Sequence, residues 1–312
     1  MSSFYPYGIS SDYHYQEFSL DSYDNSGPAN INYSALNWPK FNLGGKVPIQ
    51  NVVALKIISA EIPFSYYIFT SSNNTFTFSE NGGTYNLVTI PIGNYTSSQM
   101  LTELGTLLTA ASTLGTTYVV TLNSNTEKIT ISGTGGTMTS FSFTFGTSTG
   151  TGNSSPRLYL GFPGGITNSS GTSLITPNSI NLSGPNYLYI NSSTIGSLCN
   201  LNLPYGAVNL GGGNSSVQIA KVQVNTNAFG TILYNDSDPQ YWFHVGNIST
   251  FQTIDLYLTI GNLGSSATVV PIDLNGLNFS IKLGILLKNT TEDSSQSGTY
   301  DQGRVTKRSR PI

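Results

Sequence analysis

The sequence predicts an all-β fold, a sandwich or barrel, with one small α+β unit inserted into it. Three observations predict it. From Val52 onward the apolar runs are β-branched and aromatic and are bounded by Gly, Pro and Asn, the composition of half-buried strands. The runs are short and closely spaced with turn residues between them, as in sandwiches and barrels. Only one segment, Ser97 to about Ser112, carries helical periodicity, and it lies among strands.

Residues 1–45 set Phe4, Tyr5, Tyr7, Tyr13, Tyr15, Tyr23 and Tyr33 among small polar residues, Gly and Pro, with no sustained period. They are expected to form an extended arm that buries its aromatics on a partner; a segment lying on its own subunit is the alternative. Strands are expected at Val52–Ile68, Thr75–Ser79, Tyr85–Pro91, Tyr118–Leu122, Lys128–Ser132 and Phe141–Phe145. Later ones are expected at Ser179–Leu182, Tyr187–Asn191, Val217–Val224, Gly230–Tyr234, Thr253–Ile260, Thr268–Ile272 and Asn278–Leu287.

The helix has its own start signal. Thr96 with Gln99 three residues later fits a capping box, and Tyr95 and Met100 hold the positions of a hydrophobic staple. Leu101, Leu104, Leu107 and Leu108 then share one face, which must lie on a sheet. The strands YVVTL, KITIS and FSFTF that follow are expected to form that sheet. Residues 73–176 are thus an inserted α+β subdomain with its own small core, and the sandwich is discontinuous over 46–72 and 177–290. The Gly/Ser/Thr tract Gly146–Ser155 and the loop Gly164–Ser173 lie near the exit, where insertion is tolerated. Residues 291–312 read as a flexible basic tail.

Composition narrows the function. Charged residues make up 9% of the chain, against roughly 25% in an ordinary soluble domain. That leaves few groups for acid–base chemistry and suits a surface covered by neighbours, or an adhesin. A net charge of −3 gives the whole body no attraction for nucleic acid. The single Cys199 excludes an intrachain disulfide and fits assembly in a reducing compartment. No basic segment followed by an apolar run opens the chain, so no secretory signal is expected. No stretch reaches the ~18 apolar residues of a membrane span.

Candidate chemistry is sparse. GTSTG at Gly146–Gly150 has the letters of a nucleophile elbow around Ser148, but no helix can start in the TGTGNSSP that follows the strand. The two histidines, His14 and His244, have no nucleophile to serve; His244 in YWFHVGN reads as a core or edge position of a strand. Cys199 has no neighbouring cation to stabilise a thiolate. Asp236 and Asp238 in NDSDP lack the Gly and distal Glu of a calcium loop, and an Asx-type turn before Pro239 is the better reading. No Cys/His pair has zinc spacing, and Gly211-Gly212-Gly213-Asn214 lacks the Lys-Ser/Thr and helix of a phosphate loop. The N-x-S/T sequons, among them Asn94, Asn191 and Asn247, follow from composition. No catalytic, cofactor-binding or metal site is expected, and the chain is not read as an enzyme.

The order of segments carries a resemblance. VVALKIISAEIPFSYYIF, ending in the "AEIP-S-YY" turn, precedes the helix opening "IP-GNYT", and PRLYLGF lies between the two loops near the exit of the insert. In this order they resemble the penton (vertex) proteins of virophages and polinton-like viruses, over about two-thirds of the chain. The resemblance implies a single jelly-roll sandwich from about Val52 to Leu287, and a structural capsid protein forming the homopentameric vertex of an icosahedral virion. It implies docking among major capsid protein capsomers, with minor capsid proteins or a vertex spike as further partners, and assembly in the host cell cytoplasm. Phe4, Tyr5, Tyr7, Tyr13, Tyr15 and Tyr23 are the candidate partner-binding residues of the arm. Arg304, Lys307, Arg308 and Arg310 are those of the tail, where nucleic acid contact by counterion release is the lesser alternative to a solvated tail. A receptor-binding or fibre-like adhesin, or a minor capsid protein, is the rival reading. No internal repeat supports a fibre.

Overall fold

A computed structural model describes residues 13–23, 40–43, 47–145, 155–198, 207–209, 215–236, 242–260 and 270–289. In chain order the first strands are β1 (Tyr13–Asp21), β2 (Lys40–Asn42), β3 (Ile49–Pro63), β4 (Thr75–Glu80) and β5 (Asn86–Thr89). Helix α1 (Ser97–Ala111) precedes β6 (Thr117–Asn123), β7 (Lys128–Thr134), β8 (Phe141–Phe145), β9 (Gly165–Asn168) and β10 (Ser173–Ile175). Strand β11 (Tyr187–Ser192) runs into the short helix α2 (Ser193–Leu198), followed by β12 (Ala207–Asn209), β13 (Ser215–Gln223) and β14 (Thr231–Asn235). The last strands are β15 (Phe243–Phe251), β16 (Thr253–Asp255), β17 (Tyr257–Ile260), β18 (Val270–Pro271) and β19 (Ser280–Lys288).

Two antiparallel sheets build an all-β sandwich of jelly-roll type. One has the order β1-β19-β3-β14, with β15 alongside the first half of β3. The other has the order β12-β13-β11-β17-β18. Their inward side chains, such as Val52, Leu55 and Ile57 on β3 and Leu188, Ile190 and Val222 on the opposite sheet, enter one core. The pairing of β3 with β19 shifts register at Lys282/Leu283 and Leu286/Leu287, irregularities of the β-bulge kind.

Between β3 and β11 lie two further sheets, β5-β4-β8-β9 and β10-β7-β6, whose pairings are confined to residues 75–175. The alternation of Phe with Ser and Thr in TFTFSE and FSFTF places Phe76, Phe78, Phe141, Phe143 and Phe145 on one side. Tyr118 of β6 meets Phe78 and Phe141 edge-on, with centroids 5.3 and 5.4 Å away, and Phe162 lies 4.7 Å from Phe145. FSFTF was expected in one sheet with YVVTL and KITIS; it instead pairs with β4 and β9. Its five residues are all buried, and a strand covered on both faces belongs in the middle of a sheet.

Helix α1 starts as expected. Gln99 N–H donates to Thr96 Oγ1 at 3.3 Å and Thr96 N–H donates to Gln99 Oε1 at 2.9 Å. Met100, Leu104 and Leu108 are fully buried, with Leu101 and Leu107 flanking them. Gly105 lets the helix lie directly on β6, since a Cβ there would sit 3.1 Å from Tyr118 O. The chain after the helix is held by the buried Glu80 carboxylate, which accepts from Ser112 Oγ (2.9 Å), Thr113 N–H (2.9 Å), Leu114 N–H (3.2 Å) and Tyr118 Oη (2.8 Å). Burial pushes this carboxyl up, but hydrogen bonds led by Tyr118 Oη and Thr113 N–H outweigh it, and it lies below the usual range.

A second buried carboxylate starts α2. Asp255, at the end of β16, accepts from Ser192 Oγ (2.9 Å), Ser193 N–H (3.2 Å), Ser193 Oγ and Thr194 N–H (2.6 Å). Desolvation raises this group too, and the hydroxyl and N–H donors of Ser193, Thr194 and Ser192 bring it below its ordinary value.

Several expectations are corrected. The strand expected over Thr253–Ile260 is two, divided at Leu256, because β16 pairs with β2 while β17 pairs with β11. Ser179–Leu182 is not a strand, and β3 ends at Pro63, five residues short of Ile68. The loop expected over Gly164–Ser173 contains β9. The separate core expected for the insert is continuous with that of the sandwich. Phe69 joins them, with its ring centroid 5.5 Å from Tyr95 and 5.4 Å from Tyr159.

Candidate assembly surface

The residues expected to form a partner-seeking arm divide in two. Phe4, Tyr5, Tyr7 and Tyr33 lie outside the described residues, as do Arg304, Lys307, Arg308 and Arg310. Tyr13 and Tyr15 belong to β1, and the extended-arm expectation is corrected there: residues 13–21 pair with β19 over their whole length. Residues 40–42 likewise form β2, with Phe41 buried. The register explains the strand. Phe18 and Leu20 turn toward the core, while Tyr13, Tyr15 and Glu17 take the outer face.

On that face a charged and aromatic network is assembled from β1, β19 and β3 together with Asp236 and Trp242, which lie just outside β14 and β15. Glu17, Gly284 and Lys56 stand in one cross-strand row. The Tyr15 ring lies over Gly284 and meets Trp242 edge-on, with centroids 5.8 Å apart. Tyr15 Oη donates to Glu17 Oε1 at 2.7 Å, and Lys282 Nζ pairs with Glu17 Oε2. The Lys282 and Tyr15 hydrogen bonds hold Glu17 below the usual carboxylate range, and burial with the Glu17 contact raises Tyr15. Lys56 Nζ sits 5.3 Å from the Trp242 ring centroid and 2.9 Å from Asp236 Oδ2. Tyr15 is therefore engaged by its own subunit. Tyr13 is half-buried, and Tyr23 is exposed beyond the end of the strand.

Gly284 makes this network possible. A Cβ there would lie 3.0 Å from the Tyr15 ring and 3.2 Å from Ile58 Cδ1. Gly284→Ala is expected to lift Tyr15 and loosen β1 at a cost of about 1–3 kcal/mol. Faster hydrogen exchange across residues 13–21, with β3 unchanged, would show it. Among the described residues β1 ends its sheet beyond this network, and an edge strand of this kind pairs with a neighbouring chain unless it is protected.

The remaining candidates are dispersed. Ser148, Cys199, Asp238 and Gly211–Asn214 lie outside the described residues. His14 and His244 are exposed on β1 and β15. Asp236 pairs with Lys56, and among the described residues no group of three His, Cys, Asp or Glu is gathered. The Asn94 amide is committed to Ile68 N–H and Tyr66 O, at 2.7 and 3.0 Å, and Asn191 is buried. Among the described residues no helix is long and apolar enough to cross a membrane. Sequence reasoning missed the outer-face network because its members are far apart in the chain; the one signal was a period-two pattern in YHYQEFSLD.

No family model and no curated protein sequence matches the chain. Among solved structures, the mavirus penton protein is similar, with a TM-score of 0.50 and 12% identity over 88% of this chain and 99% of that one. A chain of the Sputnik virophage structure aligns with a TM-score of 0.42 and 17% identity, over 89% of this chain and 98% of that one. At 12% identity the shared property is the fold, and it spans almost the whole of both the chain and the mavirus penton protein.

Proposed function

We propose that this chain is a structural protein of an icosahedral virus capsid, five copies of which form the vertex. The observation that carries the reading is the likeness in fold to the mavirus penton protein over 88% of this chain and 99% of that one. The physical properties agree with it. A two-sheet wedge has flat sides for neighbours, charged residues are only 9% of the chain, and β1 ends its sheet among the described residues beside an ordered charged face. In this reading the vertex docks among major capsid protein capsomers, and minor capsid proteins or a spike complete it. Phe4, Tyr5 and Tyr7 reach a neighbour ahead of β1, and Arg304, Lys307, Arg308 and Arg310 meet acidic neighbours from the tail. Residues 73–176 form a subdomain carried on the sandwich. The protein acts in the virion after assembly in the host cell cytoplasm, and no enzymatic step is assigned to it.

Mass measurement in solution tests the proposal. Pentamers are expected, either from the chain alone or on mixing with the major capsid protein, whereas a stable trimer would favour the adhesin. Deleting residues 1–12, ahead of β1, should leave the melting temperature of the body unchanged, yet block incorporation into particles. Full incorporation of the truncated chain would remove the arm from the proposal.

A further inference from the structure

The connection between β13 and β14 places Phe229 at φ 68°, in the left-handed region that bulky residues seldom occupy. Backbone strain of this kind concentrates at functional positions. The ring is 76% exposed, so packing does not account for it. The turn beneath it is rigid. Phe229 N–H donates to Phe64 O and Phe64 N–H donates to Gly230 O, both at 2.8 Å, and Gly230 N–H donates to Asn227 O at 3.0 Å.

Phe229 stands at the rim of a cleft of about 500 Å³, formed where this turn, the start of α1, the β6–β7 hairpin and residues 180–183 meet. Phe64, Ile68 and Tyr95 supply apolar wall, and Gln99, Asn181 and Asn227 bring amides. Gln99 Oε1 is taken by Thr96 N–H and Asn181 Oδ1 by Ser183 N–H. The Nε2 and Nδ2 groups of these two side chains have no partner among the described residues. Glu127 is the one carboxylate of the lining, and no Lys or Arg takes part.

We propose that this cleft binds neutral carbohydrate, with a sugar ring stacked on Phe229 and its hydroxyls paired to the amides and Glu127. A sugar offers an apolar C–H face and a rim of hydroxyls, which matches a fixed aromatic ring beside unpaired amide donors. An anionic sugar would need a cation, and the lining has none. A wholly apolar ligand would bury the amides without partners. A peptide added as a strand would need a sheet edge, and helix start, turns and hairpin tip offer none here. The junction of two structural units is also where small-ligand pockets concentrate. This proposal stands independently of the capsid reading, which is tested by mass and incorporation.

Saturation-transfer NMR on the full chain tests it, with galactose, mannose and N-acetylglucosamine as probes and N-acetylneuraminic acid as the anionic control. At least one neutral sugar should bind, with transfer strongest at ring C–H protons. Phe229→Gly should weaken that binding about tenfold, the loss of an aromatic contact, and Phe229→Tyr should retain it. Glycine suits the turn's φ, so a loss of binding there is not a loss of fold. Leu277→Ala, which alters an exposed apolar side chain in another loop, should change nothing. The proposal is overturned if no neutral sugar in the panel binds, if the anionic sugar binds better, or if folded Phe229→Gly binds as well as the parent.

Discussion

Leu104→Asp is expected to unfold residues 85–145 while leaving Val217–Leu287 protected. Leu104 is 2% exposed and lies on the buried face of α1 with Met100 and Leu108. Both basic side chains of residues 73–176, Lys128 and Arg157, lie outside the helix, and α1 itself carries no cation to meet an aspartate. Burying the carboxylate unpaired costs several kcal/mol, and even Leu104→Ala should cost about 2–5 kcal/mol through the cavity it leaves. The effect should stay local because the strand pairings of the insert close within residues 75–175. Hydrogen exchange reads both regions at once. Equal loss of protection in both would mean that the continuous core couples insert and sandwich into one cooperative unit, and that no subdomain exists at 73–176.

The second large effect belongs to Asp255. Asp255→Ala should cost about 3–5 kcal/mol, because it orphans the Ser193 and Thr194 N–H groups and two hydroxyls in a buried site. Glu80→Ala should act similarly on the chain after α1. Both carboxyls lie below their ordinary values when folded, so each contributes stability above its unfolded pKa of about 4. That contribution is lost as pH falls through the lower folded value. Melting temperature should therefore drop steeply below about pH 4, and a Glu80→Gln, Asp255→Asn double variant should start lower and fall less in that window. Parallel curves for parent and variant would show that other groups set the acid limit.

Local structure was legible where neighbouring residues supply the whole signal. The capping box of Thr96 and Gln99, the Leu104 and Leu108 stripe, and the strand Phe141–Phe145 each need only a few residues, and all appear as expected. The strand Tyr13–Asp21 was harder. Its aromatics on the outer face and Phe18 and Leu20 on the inner face leave no apolar–polar contrast, and the sequence alone favoured an arm.

The sequence by itself determined the all-β class, the position of the one long helix, and a chain poor in charged residues. Those properties depend on side-chain period and composition, which act over a few residues or over the chain as a whole. Tertiary structure alone decided that FSFTF lies between β4 and β9, that β1 closes onto β19, and that Lys56 pairs with Asp236. It also decided that Asp255 starts a helix more than 60 residues earlier, through a contact separated by 61 residues at Thr194. Such pairings reflect which distant surfaces meet when the whole core is buried. A strand of a given alternation can satisfy its edge with any partner of matching face, and only the packed molecule selects one.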